Sequence, residues 1–211
     1  MPPLFFISKT RYAYSMMPLI IATVAEKGAG KGFFIDLVRE IMPEKKIAAV
    51  RFSDIWREIL HTLNKEESRE NISNLATAVR QVFRDDGILV PAMAQRIAKI
   101  QADIIILDGV RKKEEIDPLV QKHNGLLVYI AASPKVRFQR RRTHAETTDE
   151  IDMSWEQFMR QERIATEISI KKIGETMTDA MIENNGTAEE FRRKIAQFLE
   201  TRIRPILDGK I

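Results

Sequence analysis

The sequence predicts an α/β fold in which a parallel sheet of five strands is covered by helices on both faces. The first observation is alternation, because short apolar stretches are separated by longer amphipathic ones along most of the chain. The second is that residues 104–107 and 126–130 are continuously apolar, as strands buried on both faces are. The third is a glycine-rich turn at residues 25–32, directly after the first predicted strand.

The predicted elements follow one another in a regular order. Strands are predicted at 18–24, 47–52, 103–108, 126–131 and 180–183. Helices are predicted at 30–42, 54–64, 70–86, 91–100, 112–122, 134–143, 154–173 and 187–203. Simple alternation fails where three helices follow one another between 53 and 100, and where a charged stretch covers 139–153. Because ligands bind outside the carboxyl ends of parallel strands, we expect these two insertions to hold substrate-facing parts.

The composition is that of one globular domain, and it limits the kinds of site. With 211 residues, of which 44% are hydrophobic and 30% charged, the chain can bury a sizeable core. It has no cysteine, which excludes disulfides and thiolate metal sites and fits the reducing cytoplasm, where we expect the protein. Its histidines are scattered, at His61, His123 and His144, so a histidine-built metal site is not expected.

The chain is basic, with a formal net charge of +4 and a sequence pI of about 9.3. A nucleic-acid-binding protein and an enzyme that gathers arginines around a triphosphate both fit this balance. The basic residues concentrate at Arg137 and at residues 140–142. The pattern of aromatic residues interleaved with basic ones, which would indicate a base-stacking surface, is not found in the sequence. This distribution favours the enzyme. We therefore expect a small-molecule nucleotide as partner and rank nucleic acid last.

Both ends of the chain are set apart from the predicted domain, which spans residues 17–204. Residues 1–16 are too short for a transmembrane helix and lack the order of a signal peptide. We interpret them as a disordered or loosely docked extension, or as the result of an upstream start codon with Met17 as an internal one. Residues 205–211 are a C-terminal tail. We expect no membrane association, and either a monomer or a homodimer.

The glycine-rich turn matches part of the phosphate-binding pattern G-x-x-x-x-G-K-[ST]. Gly30 and Lys31 are in register, whereas Ala25 replaces the first glycine and Gly32 replaces the final hydroxyl residue. An ordinary strand-to-helix turn is the alternative, but the buried strand before it and the amphipathic helix after it favour phosphate binding. Glycines let loop N–H groups approach a phosphate, and Lys31 brings a full charge to the β- and γ-phosphates. The residues expected to contact the nucleotide are Lys27, Gly28, Ala29, Gly30, Lys31, Gly32 and Phe33.

Charged residues follow the carboxyl ends of two further predicted strands. Asp108 would face the phosphate loop across the top of the sheet, where it can hold Mg²⁺ directly or through water. The alternative is an ordinary Asp-Gly turn. Arg111 lies three residues later, and Asp54 and Arg57 lie near the end of the second strand. An arginine at such a position can bind a substrate phosphate through two hydrogen bonds, although both arginines also fit a solvated surface.

An arginine cluster occupies the predicted helix 134–143. Arg137 shares a helix face with Arg140 and with Arg141, and like charges on one face need an anionic partner. A migrating phosphoryl group is one such partner. The other is a set of acidic residues just downstream, namely Glu146, Asp149, Glu150 and Asp152. Arg163, on the following helix, is a further candidate for contact with the phosphoryl group.

Several of these segments resemble the nucleoside monophosphate kinases, a family of P-loop proteins. Residues 27–32 (KGAGKG) resemble the adenylate kinase loop, in which a glycine also follows the lysine. Residues 54–58 (DIWRE) are similar to the family's Gly-Asp-x-x-Arg segment, and residues 108–111 (DGVR) to its Asp-Gly-Phe-Pro-Arg segment with one residue fewer. Residues 132–140 (ASPKVRFQR) look like the segment that leads into the lid. Residues 178–186 (TDAMIENNG) are similar to the last strand of dephospho-CoA kinases and their uncharacterised archaeal relatives, which give the closest resemblance.

The resemblance implies a three-layer α/β/α P-loop NTPase fold with a helical acceptor-binding insertion at 53–100 and a short lid at 137–165. It implies ATP and Mg²⁺ as cofactors, and phosphoryl transfer to a small nucleotide such as a nucleoside or deoxynucleoside monophosphate. Arg57 and Arg111, with Asp54 beside them, would then seat the acceptor. The residues to which the resemblance gives catalytic roles are Lys31, Asp108, Arg137, Arg140 and Arg163, with Asp108 ordering the metal.

Two alternatives stay open. A dephospho-CoA kinase-like enzyme would phosphorylate a ribose hydroxyl instead of a phosphate. A nucleotide-binding regulator or scaffold without turnover is suggested by Ala25, Gly32 and Phe33, because these residues depart from the pattern that contacts phosphate and metal in the family.

Overall fold

Five parallel strands form one sheet at the centre of the structure. The computed structural model describes residues 17–143 and 153–210. The strands are β1 (Leu19–Val24), β2 (Ile47–Arg51), β3 (Ile104–Asp108), β4 (Leu126–Ala131) and β5 (Ala180–Glu183). Their order in the sheet is β2-β3-β1-β4-β5, and every neighbouring pair is parallel. The predicted fold class is therefore confirmed.

Helices connect the strands and cover both faces of the sheet. They are α1 (Lys31–Ile41), α2 (Phe52–Thr62), α3 (Arg69–Phe83), α4 (Val90–Ala98), α5 (Ile116–Leu119), α6 (Pro134–Thr143), α7 (Trp155–Glu162), α8 (Ala165–Thr176), α9 (Ala188–Phe198) and α10 (Arg204–Leu207). Short 3₁₀ turns flank α5, and a π-helical turn, Leu199–Ile203, joins α9 to α10. None of the helices in the described ranges has both the length and the apolar character of a membrane span.

Hydroxyl side chains begin three of these helices. In each case the side-chain oxygen accepts the backbone N–H three residues later at 3.2 Å, which satisfies one of the unpaired donors of the first turn. The three pairs are Ser68 with Asn71, Ser154 with Gln157, and Thr187 with Glu190. These caps fix where α3, α7 and α9 begin.

Two apolar layers hold the helices on the sheet. On one face α1 and α9 pack against the strands, and the buried side chains include Ile21, Phe34, Val38, Ile106, Phe191 and Ile195. On the other face α2, α4 and α8 contribute to a layer that includes Ile20, Trp56, Met93, Ile105, Leu107 and Ile170. Because β1 and β3 are buried on both faces, their continuous apolar runs are explained.

Three predicted helices differ from those in the structure. The prediction at 154–173 is wrong in continuity, because Ile164 adopts an extended conformation (φ −68°, ψ 139°) and separates α7 from α8. The helix predicted at 112–122 is too long, because the segment folds as the short helix α5 between two 3₁₀ turns. Pro118 in this segment supplies no N–H to a longer helix. The helix predicted at 187–203 is regular only to Phe198.

Some predicted features lie outside the described residues. These are the N-terminal extension at 1–16, the last residue of the C-terminal tail, and residues 144–152 of the predicted lid. The downstream acidic residues considered as partners of the arginine cluster, which are Glu146, Asp149, Glu150 and Asp152, all fall in that last segment.

Candidate functional site

The loop between β1 and α1 has a backbone that requires glycine at two positions. Gly28 has φ 83° and Gly30 has φ 100°, both in the left-handed region that side chains disfavour. The N–H of Ala29 donates to the carbonyl of Glu26 at 3.1 Å and closes a turn. A Cβ atom at Gly30 would lie 2.3 Å from Nδ2 of Asn184, so this glycine is required by packing as well.

The N-terminus of α1 leaves donors available next to this loop. The N–H of Phe34 donates to the carbonyl of Gly30 at 2.9 Å, so the N–H groups of Lys31, Gly32 and Phe33 have no partner within the helix. The helix dipole adds partial positive charge at the same point. Loop and helix together have the form of an anion-binding concavity.

Lys31 and Asp108 lie against each other at the carboxyl edge of the sheet. Lys31 Nζ is 2.6 Å from Asp108 Oδ1, and the Asp108 residue is only 7% exposed. Gly109 follows with φ 88°, and a Cβ atom there would lie 3.1 Å from Lys31 Nζ. The structure thus brings together two residues that the sequence assigned to one site.

Arg51 is a third member of this group, and the sequence analysis missed it. Its Nε lies 2.9 Å from Asp108 Oδ2, and the register of the sheet sets Arg51 opposite Asp108. The signal was available, because Arg51 is a charged residue at the carboxyl end of a predicted strand. The same criterion had identified Asp108.

Asp108 offers a single carboxylate to a divalent cation. Among residues 17–143 and 153–210, no three or more His, Cys, Asp or Glu side chains gather as a metal site. Mg²⁺ commonly binds through one or two carboxylates together with phosphates and water. The donor set therefore fits a Mg²⁺ ion whose other ligands come from a nucleotide and from water, and it does not fit an all-protein metal site.

Arg137 is buried and ties α6 and α7 to the loop. It is 2% exposed, and its guanidinium donates to both carboxylate oxygens of Glu162, with Nη1 at 2.8 Å from Oε1. Its Nε donates to the carbonyl of Ala132 at 3.0 Å, and its Nη1 reaches the carbonyl of Lys27 at 3.4 Å. Burial alone would lower the pKa of Arg137, but the pairing with Glu162 raises it overall, so the group stays charged. Glu162 was not among the partners considered from the sequence.

Arg140 and Asn184 link the loop to the end of β5. Arg140 donates to the backbone carbonyl of Asn184 at 2.9 Å and to its Oδ1 at 3.1 Å. Asn184 is 4% exposed, and its Nδ2 donates to the carbonyl of Ala29 at 2.9 Å. A cavity of about 270 Å³ adjoins Arg140 and is lined by Val136, Gln139, Arg140, Thr143, Asn185 and Gly186. Asn184 is a site residue that the sequence analysis did not single out.

The remaining predicted residues are more dispersed. Arg57 is exposed on α2, with Nη1 3.7 Å from Oε2 of Glu67, so it faces the connection between α2 and α3. Arg163 is exposed at the end of α7. Asp54, in the first turn of α2, lines a cavity of about 290 Å³ together with Gly32 and Arg51.

Arg111 follows Asp108 in a segment that Glu115 positions. Oε2 of Glu115 accepts the backbone N–H groups of Arg111 and Lys112, at 3.0 and 3.2 Å. Burial raises the pKa of Glu115 even though these hydrogen bonds oppose the shift. The Arg111 side chain is exposed, and the hydroxyl of Ser169 on α8 donates to its carbonyl at 3.4 Å.

A buried pair of polar side chains lies where the loop leaves β1. The hydroxyl of Tyr129 on β4 lies 2.9 Å from both carboxylate oxygens of Glu26, and Glu26 is 5% exposed. Burial and the Glu26 carboxylate raise the pKa of Tyr129 well above its ordinary value, so the phenol remains a donor. Glu26 was also missed from the sequence.

The fold and the glycine-rich loop define the class: this is the fold of the P-loop kinases. A gluconokinase from Sinorhizobium meliloti matches with a TM-score of 0.53 and 13% identity, over 92% of this chain and 98% of that one. A shikimate kinase from Bacteroides thetaiotaomicron matches with a TM-score of 0.51 and 14% identity, over 86% and 96%. At such identities the likeness concerns the fold alone.

Curated proteins from archaea are similar to the chain over nearly its whole length. A UPF0200 protein of Sulfurisphaera tokodaii is 28% identical over 181 residues, covering 86% of this chain and 96% of the relative. A UPF0200 protein of Thermococcus gammatolerans is 24% identical, covering 90% and 99%. No family model matches the chain.

Proposed function

We propose that this protein transfers a phosphoryl group from ATP to a small nucleotide acceptor, such as a nucleoside or deoxynucleoside monophosphate. The observation that carries the proposal is the contact of Lys31 with Asp108 beside the loop of Gly28 and Gly30. In this arrangement backbone donors, one lysine and one carboxylate converge at the carboxyl edge of a parallel sheet. P-loop enzymes use such groups to bind triphosphates with Mg²⁺.

Positioning and charge supply most of the rate in this kind of reaction. Lys31 and the N–H groups of residues 27–33 would bind the β- and γ-phosphates. Asp108 would hold Mg²⁺ through water, and the ion would neutralise phosphate charge. Asp54, Arg57 and Arg111 would contact the acceptor. Arg163 would approach the transferring group from α7.

Arg137 and Arg140 would act from the side of α6. Arg137 orders the loop through the carbonyl of Lys27, and its charge would complement the phosphates. Arg140 lines the cavity near Asn185 and Gly186, to which we assign the nucleoside part of ATP. Polar and apolar side chains both line this cavity, as a base and its sugar require.

The test compares Lys31→Ala with Lys172→Ala, a change at an exposed lysine on α8. ADP release is followed with ATP and a panel of nucleoside monophosphates, deoxynucleoside monophosphates and dephospho-CoA. Loss of the lysine should lower kcat/KM at least about a hundredfold, in the range found when one electrostatic group is removed. The control variant should keep its activity. Full activity of Lys31→Ala, with its circular dichroism unchanged, would contradict the proposal.

The same panel separates the two alternatives. Turnover with dephospho-CoA and with no monophosphate would identify a ribose hydroxyl as the acceptor. ATP binding by calorimetry without turnover of any acceptor would identify a nucleotide-binding regulator or scaffold. Two observations favour the regulator or scaffold: Gly32 supplies no hydroxyl for a metal, and both oxygens of Asp108 already contact cations.

A further inference from the structure

Arg51 uses only part of its hydrogen-bonding capacity. Its Nε contacts Asp108, and in the described part of the chain no other side-chain partner of Arg51 is found. A guanidinium carries five N–H donors in a planar fork, so the two terminal nitrogens remain available. The side chain is 57% exposed, which leaves these nitrogens accessible to a ligand.

A cavity of about 290 Å³, which we name the Arg51 cavity, is lined in part by Arg51. Its lining residues are Gly32, Ile35, Asp36, Arg39, Ala49, Arg51 and Asp54. Gly32 directly follows Lys31, so one wall of the cavity belongs to the phosphate loop. Within this lining, Nη1 of Arg39 lies 3.7 Å from Oδ1 of Asp36, so these two charges are paired with each other. Asp108, the partner of Arg51, is not one of the lining residues.

We propose that the Arg51 cavity binds an oxyanion, phosphate or carboxylate, carried by the phosphoryl acceptor. The terminal nitrogens of Arg51 bind two oxygens of this group, and Nε stays on Asp108. Bidentate binding to a planar fork is the strongest contact that an arginine offers an oxyanion. Asp54 repels a second negative group and accepts a hydrogen bond from a hydroxyl or amino group of the same molecule.

The acceptor part of this inference rests on the proposed function, but the oxyanion site does not. It gives the acceptor's charge a binding residue at the carboxyl edge of the sheet, in addition to Arg57, which pairs with Glu67. Because Arg51 and Lys31 share one carboxylate, an oxyanion on Arg51 would lie next to a phosphate held by Lys31. That proximity is what transfer between two bound groups requires.

The experiment titrates inorganic phosphate into protein saturated with a non-hydrolysable ATP analogue, which occupies the phosphate loop. Binding is followed by the Nε–Hε NMR signal of Arg51, assigned by its loss in Arg51→Lys, and by calorimetry. We expect a millimolar affinity that weakens at least tenfold in Arg51→Met and less in Arg51→Lys. Arg193→Met, at an exposed arginine of α9, serves as the matched control and should stay within twofold. Unchanged phosphate affinity in Arg51→Met would overturn the inference.

Further arms keep the outcomes separate. Malonate replaces phosphate in a parallel titration, and Arg51-dependent binding of malonate alone would identify a carboxylate as the oxyanion. A loss of affinity for the ATP analogue in Arg51→Met, with the phosphate affinity retained, assigns Arg51 to the nucleotide and refutes the inference. If Arg51→Met fails to fold, Arg51→Lys, which keeps the charge and removes the fork, carries the test. If the analogue does not bind at all, the proposed function fails, and the phosphate titration without nucleotide still decides the oxyanion site.

Discussion

Gly30→Ala is the substitution for which the structure gives the sharpest expectation. Gly30 has φ 100°, a conformation that an alanine adopts only with strain. The added Cβ atom would lie 2.3 Å from Nδ2 of Asn184, and this amide donates to the carbonyl of Ala29 at 2.9 Å. The change therefore strains the loop backbone and displaces the side chain that holds the loop to β5.

The magnitude follows from two contributions. An L-residue with a side chain in the left-handed region costs roughly 1–2 kcal/mol. Displacement of Asn184 loses a buried hydrogen bond to Ala29, worth about 1 kcal/mol. We expect Gly30→Ala to lower the free energy of unfolding by about 2–3 kcal/mol, taking about 1 kcal/mol from the hydrogen bond and about 1–2 from the backbone.

Gly32→Ala is the matched control, because it changes the same loop by the same methyl group. Apart from its chain neighbours and the backbone of its own helix, no atom of the described residues lies within 4 Å of a Cβ at Gly32, and its φ is not in the left-handed region. Inside α1, alanine is favoured over glycine by up to about 1 kcal/mol. Urea unfolding of both variants, with equal m-values, measures the difference. If the two free energies of unfolding agree within about 1 kcal/mol, this account of the loop is wrong.

Two further predictions concern buried charges. Glu162→Ala removes the carboxylate that pairs with the buried guanidinium of Arg137, so it should lower the free energy of unfolding by about 3–5 kcal/mol, with a smaller loss in Glu162→Gln. Thermal and urea unfolding measure both variants. A loss below about 1 kcal/mol in the alanine variant would contradict the importance of the pairing. Burial raises the pKa of Glu115 above its ordinary value of 4.5, so the folded protein holds this proton to higher pH than the unfolded chain does. Its contribution to stability is therefore present at low pH and is lost as pH rises through that raised pKa. As pH rises from 4.5, the free energy of unfolding of Glu115→Gln, measured in urea, should increase relative to that of the parent protein. If the two free energies of unfolding change in parallel with pH, the raised pKa of Glu115 is contradicted.

The strands could be predicted because burial on both faces leaves a direct trace in the sequence. Every residue of β3 is buried, and the chain from Ile104 to Leu107 is accordingly an unbroken apolar run. Helix ends were predicted less well, since they depend on the conformation of single residues. The extended Ile164 breaks an apolar pattern that continues on both sides of it, so periodicity alone could not locate the break.

The candidate site was predictable only where its residues belong to one local motif. Lys31 follows from the glycines around it, and Asp108 from the end of a buried strand. By contrast, Asn184 reaches the carbonyl of Ala29 across 155 positions of sequence, and Arg137 finds Glu162 across 25. Such partners depend on strand order and helix packing, which the spacing of residues in one sequence does not contain.

The two cations on Asp108 bear on the triphosphate binding proposed for the loop. Under the proposed function, Lys31 would turn from Asp108 to a phosphate, and a carboxylate that is 7% exposed would then lose one of its partners. Leaving a buried charge without any partner is strongly destabilising, by about 3–5 kcal/mol. Because Arg51 contacts the second oxygen, Asp108 would keep a cation as its partner when Lys31 moved. Under the proposed function, Arg51 would therefore lower the free energy needed for nucleotide binding. This matters at a loop where Gly32 supplies no hydroxyl as a metal ligand.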